Sequence, residues 1–215
     1  MERQDRYLNA AQRLFAKHGF VGTTMDMILA EVGGSKATLY KCFPSKDALV
    51  AGLMDRVSQS VGQDRDALND ERPLEEALLG YGEAVLRAVT SERAVTLLRL
   101  CLGEHGRFPE LSRVVWEHGP AITYARFRAF LDARTRAGEA HVEDPQLAAE
   151  QFIAGIVGHI QLKIAMGQAA PLNDDEITGR VASAVATFLA RYGVEKTGKT
   201  KRARTGTRAR RVKKD

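Results

Sequence analysis

The 215-residue sequence predicts an all-α fold on three observations. Apolar residues recur three and four positions apart along most of the chain, which gathers them on one face of a helix. No stretch holds the apolar-polar alternation of a half-buried strand. Capping residues, glycines and prolines cut the helical pattern into segments, which gives about nine helices. Three regions are expected. Residues 1–50 form a head of three helices with a helix-turn-helix over about 24–43. Residues 51–193 form a helical body, and residues 194–215 a basic tail.

In chain order, Tyr7, Leu8, Ala11, Leu14 and Phe15 place one apolar face on a helix over 2–18. Gly19 can end that helix because it has no Cβ to clash. Phe20 and Val21 then offer apolar anchors. Thr24 is a good N-cap for a helix over 25–32, with Asp26 in its first turn, where negative charge suits the helix dipole. Gly33 caps its end and Ser35 caps the next start, so only about three residues separate the two helices, the spacing of a helix-turn-helix. Leu39 and Phe43 lie four apart and are expected to bury. Pro44 stops the helix. Ser45 caps a further one, along which Ala48, Leu49, Leu53 and Val57 form a stripe.

Residues 62–73 read as a polar loop. Helical phase returns over 74–90, 91–104, 110–118 and 121–136, with breaks at His105–Leu111 and Gly119-Pro120. After a loop over 138–145 come two helices, 146–166 and 174–192. Each carries a second apolar or small-residue row, and a helix apolar on two sides must be covered on two sides. One cover is the body of the same chain; the other is a second chain. The residues assigned to that interface are Phe152, Gly155, Ile156, Ile160, Val181, Val185, Phe188 and Leu189.

Charge divides the chain in the same way. Residues 1–50 hold 7 Lys/Arg and 5 Asp/Glu, a balance of +2. Residues 51–193 hold 15 and 20, a balance of −5, and residues 194–215 hold 10 and 2, a balance of +8. The tail has too little apolar surface to offset its ordering entropy and is expected to be disordered. Basic ends imply a polyanion partner, nucleic acid before membrane. No apolar run reaches the 18 or more residues that a membrane helix needs, and the N-terminus lacks a signal-peptide core, so a cytoplasmic location is expected. There is no GxSxG, P-loop or GxGxxG after a strand, so no enzyme and no catalytic residue is expected. Cys42 and Cys101 form no CxxC, and His105 and His118 lack metal-ligand spacing; no metal or cofactor is expected.

The stretch GTTMDMILAEVGGSKATLYKCFPSKDAL resembles the DNA-binding domain of TetR-family transcriptional regulators over about residues 5–55. The Gly-Thr-Thr start, Asp-x-Ile, the Gly-x-Ser turn, Leu-Tyr-x-x-Phe and Pro-Ser-Lys-Asp-Ala-Leu all match in spacing. The segment from RLCLGEHGRFPEL through DPQLAAEQFIAGIVGHI is similar to the AefR-like subgroup of TetR C-terminal domains. The resemblance implies a homodimer that sets its third helix in the major groove of operator DNA. It implies that residues 51–193 serve dimerisation and ligand binding, and that a small molecule releases the operator. Two positions depart from the usual pattern. Gly34 stands where an apolar residue commonly packs the turn, and Cys42 where an aromatic or His is common, which removes one phosphate contact.

On this reading Lys36 and Tyr40 bind phosphates, while Thr38 and Lys41 reach base edges. The caps Thr24 and Ser35 present free amides to phosphate, and Lys46 adds another contact. Cys101, His105, Phe108, Trp116, Tyr124 and Phe127, with His118, form the expected pocket for an apolar or aromatic effector; core packing is the plainer role for any one of them. The alternative function is an architectural protein that coats DNA through its tail, without sequence preference.

Overall fold

The computed structural model describes residues 2–62, Leu68 and 71–194. All of the tail expected at 194–215 except Val194, and most of the loop at 62–73, therefore lie outside the described residues. Among the described residues the chain forms eleven helices, against the expected nine or so: α1 (Glu2–Gly22), α2 (Met25–Val32), α3 (Lys36–Cys42), α4 (Lys46–Gly62), α5 (Leu74–Thr90), α6 (Glu92–Glu104), α7 (Pro109–His118), α8 (Pro120–Arg136), α9 (Pro145–Val157), α10 (Ile160–Ala165) and α11 (Asp174–Tyr192). Gly158, with φ 49°, splits the helix expected over 146–166 into α9 and α10. The sole extended pairing among the described residues is an isolated bridge between Ala140 and Gly193. None of the described helices is long and apolar enough to cross a membrane.

Local chemistry sets the helix ends. The Thr24 hydroxyl accepts from the Met27 amide at 3.2 Å, and the Ser35 hydroxyl accepts from the Thr38 amide at 3.2 Å. Asn173 and Glu176 cap each other reciprocally at the start of α11, where Asp174 and Asp175 add negative charge to the first turn. α1 kinks at Gly19 rather than ending there. The buried Thr23 hydroxyl donates to the Gly19 carbonyl at 2.8 Å and closes that kink. Phe20 is buried, but Val21 faces solvent at 48% exposure, so the turn has one apolar anchor and not two.

The body is built around stacked aromatics. Phe127 of α8 lies 4.9 Å from the Tyr81 ring of α5 and 4.7 Å from Phe152 of α9. Phe188 of α11 meets Phe152 edge-on at 5.2 Å. The Tyr81 hydroxyl donates to the Thr123 carbonyl at 2.9 Å, and burial pushes that phenol's pKa up. Gly82 lets α5 and α11 approach: a Cβ there would stand 2.7 Å from Val181 Cγ1.

This core corrects the expected dimer residues. Phe152, Ile156, Ile160, Val181, Val185 and Phe188 are all buried inside the single chain. Of the eight, only Gly155 and Leu189 keep open surface. Helical period shows that a face must be covered but not by which chain. The face of α11 that does stay open carries small residues: Gly179, Ala182, Ser183, Ala186, Thr187 and Ala190.

α4 joins head to body. It packs on α1 and also on α5, α6, α7 and α8, and it runs through residue 50 without a break. Asp5 pairs with Arg56 of α4, and Arg93 of α6 donates to Gln12 at 3.0 Å and Asn9 at 3.2 Å, so α1 is tied down along its length.

Candidate nucleic-acid interface and effector cavity

The helix-turn-helix is held from behind and open in front. Tyr7, Phe15, Ile28 and Leu39 are buried, as is Phe43. Arg6 donates to the Val32 carbonyl at the end of α2 at 2.8 Å, and Arg13 pairs with Glu31 at 2.5 Å. Between the helices Gly33 and Gly34 take φ of 78° and 103°, conformations that strain any residue with a Cβ. A Cβ at Gly34 would also stand 3.5 Å from the Tyr7 hydroxyl. Cys42 is half-buried and packs against the core of the head.

Of the expected DNA-facing residues, Lys36, Thr38, Tyr40 and Lys41 lie on α3 and Ser35 caps it, while Thr24 caps α2 and Lys46 opens α4. Thr24, Ser35, Lys36, Tyr40 and Lys41 are exposed and Thr38 is half-buried. Lys36 pairs with Asp26 of α2 at 2.9 Å, and that hydrogen bond raises the lysine pKa. The Lys36 ammonium also lies 6.0 Å from the Tyr40 ring. The Ser35 and Thr38 hydroxyls share a 2.8 Å hydrogen bond. Each link is local to the motif and exposed, so it is screened by solvent and a phosphate can compete for it. Lys46 is placed differently. Its ammonium donates to the Phe20 carbonyl at 2.6 Å, lies 4.4 Å from the Phe20 ring, and is partly desolvated, which lowers its pKa.

A cavity of about 460 Å³ opens in the body between α4, α5, α6, α7, α8 and α9. Its wall is apolar, including Met54, Val57, Val61, Val85, Leu97, Val115 and Ile153. Cys101, Trp116 and Tyr124 line it as expected, with Trp116 and Tyr124 ring centroids 6.1 Å apart. Burial raises the pKa of both the Cys101 thiol and the Tyr124 phenol. Four expected residues lie elsewhere. Phe127 is fully buried in the aromatic core. Phe108 stacks edge-on against Phe20 of the head at 5.4 Å. His105 sits at the surface, its Nδ1 3.3 Å from the Ser112 hydroxyl. His118 pairs with Asp55 of α4 at 2.7 Å, and its carbonyl accepts from Ser58 at 2.5 Å.

The contribution of α4 to the wall was not visible in sequence. Met54, Val57, Ser58 and Val61 read simply as one more apolar stripe, and the pattern does not tell a filled core from a lined hollow. Among the described residues, no charged side chain lines the cavity. Nor do any described His, Cys, Asp and Glu side chains cluster to hold a metal.

Comparison with known proteins fits both halves. Residues 8–53 match the bacterial regulatory proteins of the tetR family, and residues 76–194 match the AefR-like transcriptional repressor C-terminal domain. The structure of a flavonoid-responsive regulator, FrrA, superposes with a TM-score of 0.72 at 33% identity, over 90% of this chain and 98% of that one. The nucleoid occlusion factor SlmA of Aliivibrio fischeri (strain MJ11) is 25% identical over 174 residues, 73% of this chain and 81% of that protein. The uncharacterised HTH-type transcriptional regulator YerO of Bacillus subtilis (strain 168) is 37% identical over 79 residues, which span 37% of this chain and 25% of YerO. A capped helix-turn-helix, an all-helical body and two family matches that together take in most of the described residues lead to one assignment: this chain belongs to the TetR family of DNA-binding transcriptional regulators, which are not enzymes.

Proposed function

We propose that the protein is a homodimeric repressor that reads operator DNA with α3 and leaves it when a small aromatic molecule fills the body cavity. One observation carries this reading. α4 begins at Lys46 in the head and, from about two turns later, lines the cavity with Met54, Val57, Ser58 and Val61. A ligand that displaces the wall therefore acts on a helix that also packs against α1. In this reading residues 1–50 serve DNA, 51–193 serve ligand and dimer, and 194–215 add sequence-independent charge.

The effector is uncharged, because a net charge buried in an apolar wall without a partner is costly. Trp116 and Tyr124 favour a planar ring system, and the name of the flavonoid-responsive relative supports an aromatic effector. The dimer forms through the open faces of α9 and α11, where Gly155, Ala182 and Ala186 allow close helix approach. Lys36, Tyr40 and the caps Thr24 and Ser35 hold phosphates; Thr38 and Lys41 meet base edges in the major groove.

The test is a footprint on DNA upstream of the protein's own gene, with full-length protein and a variant lacking residues 194–215. A near-palindromic footprint, half-sites about one helical turn or a multiple apart, surviving tail deletion, is the expected result. Uniform protection abolished by tail deletion would instead establish the architectural role. Trp116 is the chain's one tryptophan, so its emission reports the cavity directly. Titration with a neutral flavonoid should quench that emission and release the footprint together.

A further inference from the structure

The α6–α7 corner touches the head at the turn after the Gly19 kink. Phe108 meets the Phe20 ring edge-on at 5.4 Å, although its own side chain is 37% exposed. The Lys46 ammonium lies 4.4 Å from that same Phe20 ring and donates to the Phe20 carbonyl. Glu104, the last residue of α6, brings a carboxylate oxygen within 3.5 Å of the position a Gly19 Cβ would take, and its charge attracts Lys46. Two corner residues thus brace the turn to which Lys46 is bound.

We propose that Phe108 is a positioning residue for DNA binding: by bracing Phe20 it keeps Lys46 folded back on the turn and withholds that lysine from a DNA phosphate. The proposal rests on the reading of the helix-turn-helix as the DNA interface. Lys46 is the first residue of α4, three positions after Phe43, so it stands beside the end of α3. Its four-carbon stem can turn outward once the carbonyl and ring are no longer fixed. While the ammonium is held on Phe20 it neutralises no phosphate. The brace also adjoins the cavity. Cys101 lies three residues before Glu104 and Ser112 four after Phe108; both line the wall, and Ser112 is linked to His105 across the corner. Any shift of α6 or α7 at the cavity carries Phe108 with it.

A merely structural Phe108 would alter stability and leave the number of phosphate contacts alone. The slope of log affinity against log salt counts those contacts, at close to one for each. The experiment measures this slope on the upstream DNA for full-length wild type, Phe108→Ala, Phe108→Gln, Phe108→Leu, Lys46→Met, and Phe108→Ala combined with Lys46→Met. Phe108→Ala and Phe108→Gln should bind more tightly and steepen the slope by about 1, while Phe108→Leu keeps the wild-type value. The gain should vanish in the Lys46→Met background. An unchanged slope in both Phe108→Ala and Phe108→Gln overturns the proposal, as does a gain that persists without Lys46. If wild type gives no defined footprint, the DNA-interface reading falls and takes this one with it. A wild-type footprint with no effect of Phe108 overturns this inference alone.

Discussion

The turn between α2 and α3 and the aromatic centre of the body are held by opposite means. In the turn, hydroxyl caps, two positive-φ glycines and surface ion pairs shape the backbone, and the polar side chains stay outside. In the body, Tyr81, Phe127, Phe152 and Phe188 stack on one another and are almost fully buried. Each aromatic pair adds about 0.5–1.5 kcal/mol beyond its buried area. The head thus keeps its polar groups at the surface within reach of a partner, while the body stacks these four rings on one another and leaves its cavity walled by Trp116, Tyr124 and mainly aliphatic side chains. The difference teaches that binding surface and fold stability reside in separate sets of residues here, and substitutions should separate them.

Phe127→Ala should lower stability by about 3–5 kcal/mol, as measured by urea denaturation, because it hollows the body's centre. A loss below 1 kcal/mol would break the comparison, since the stack would then not hold the body. Gly82→Ala forces a Cβ against Val181 and should cost about 1–3 kcal/mol, read as a lower midpoint in the same assay. Ser35→Ala removes the α3 cap and should cost about 1 kcal/mol. It should also weaken operator binding, which fluorescence anisotropy with labelled DNA would show. Lys41→Ala should leave stability within about 0.5 kcal/mol of wild type. The same change should flatten the salt dependence of operator binding by about 1 if Lys41 meets a phosphate, or relax sequence preference at one position if it meets a base. No effect on binding would remove Lys41 from the interface.

Much of the head was legible in sequence because its determinants are short-range. Thr24 and Ser35 cap amides three residues on, and Leu39 and Phe43 bury together one turn apart. The body was legible as helices but not as surfaces. Phe127 and Phe152 carry the same apolar signal as Trp116 and Leu97, yet the first two fill a core and the others line a hollow. Phe108 looked like a pocket aromatic, and only its approach to Phe20, 88 positions earlier in the chain, gave it another place.

By itself the sequence determined helix positions, caps, the two-glycine turn and the family, since each depends on residues within a turn or two of one another. The tertiary structure alone decided which apolar faces the chain covers for itself, where α4 becomes a cavity wall, and that Lys46 folds back onto Phe20. Those outcomes depend on distances between segments far apart in the chain, and helical periodicity carries no record of them.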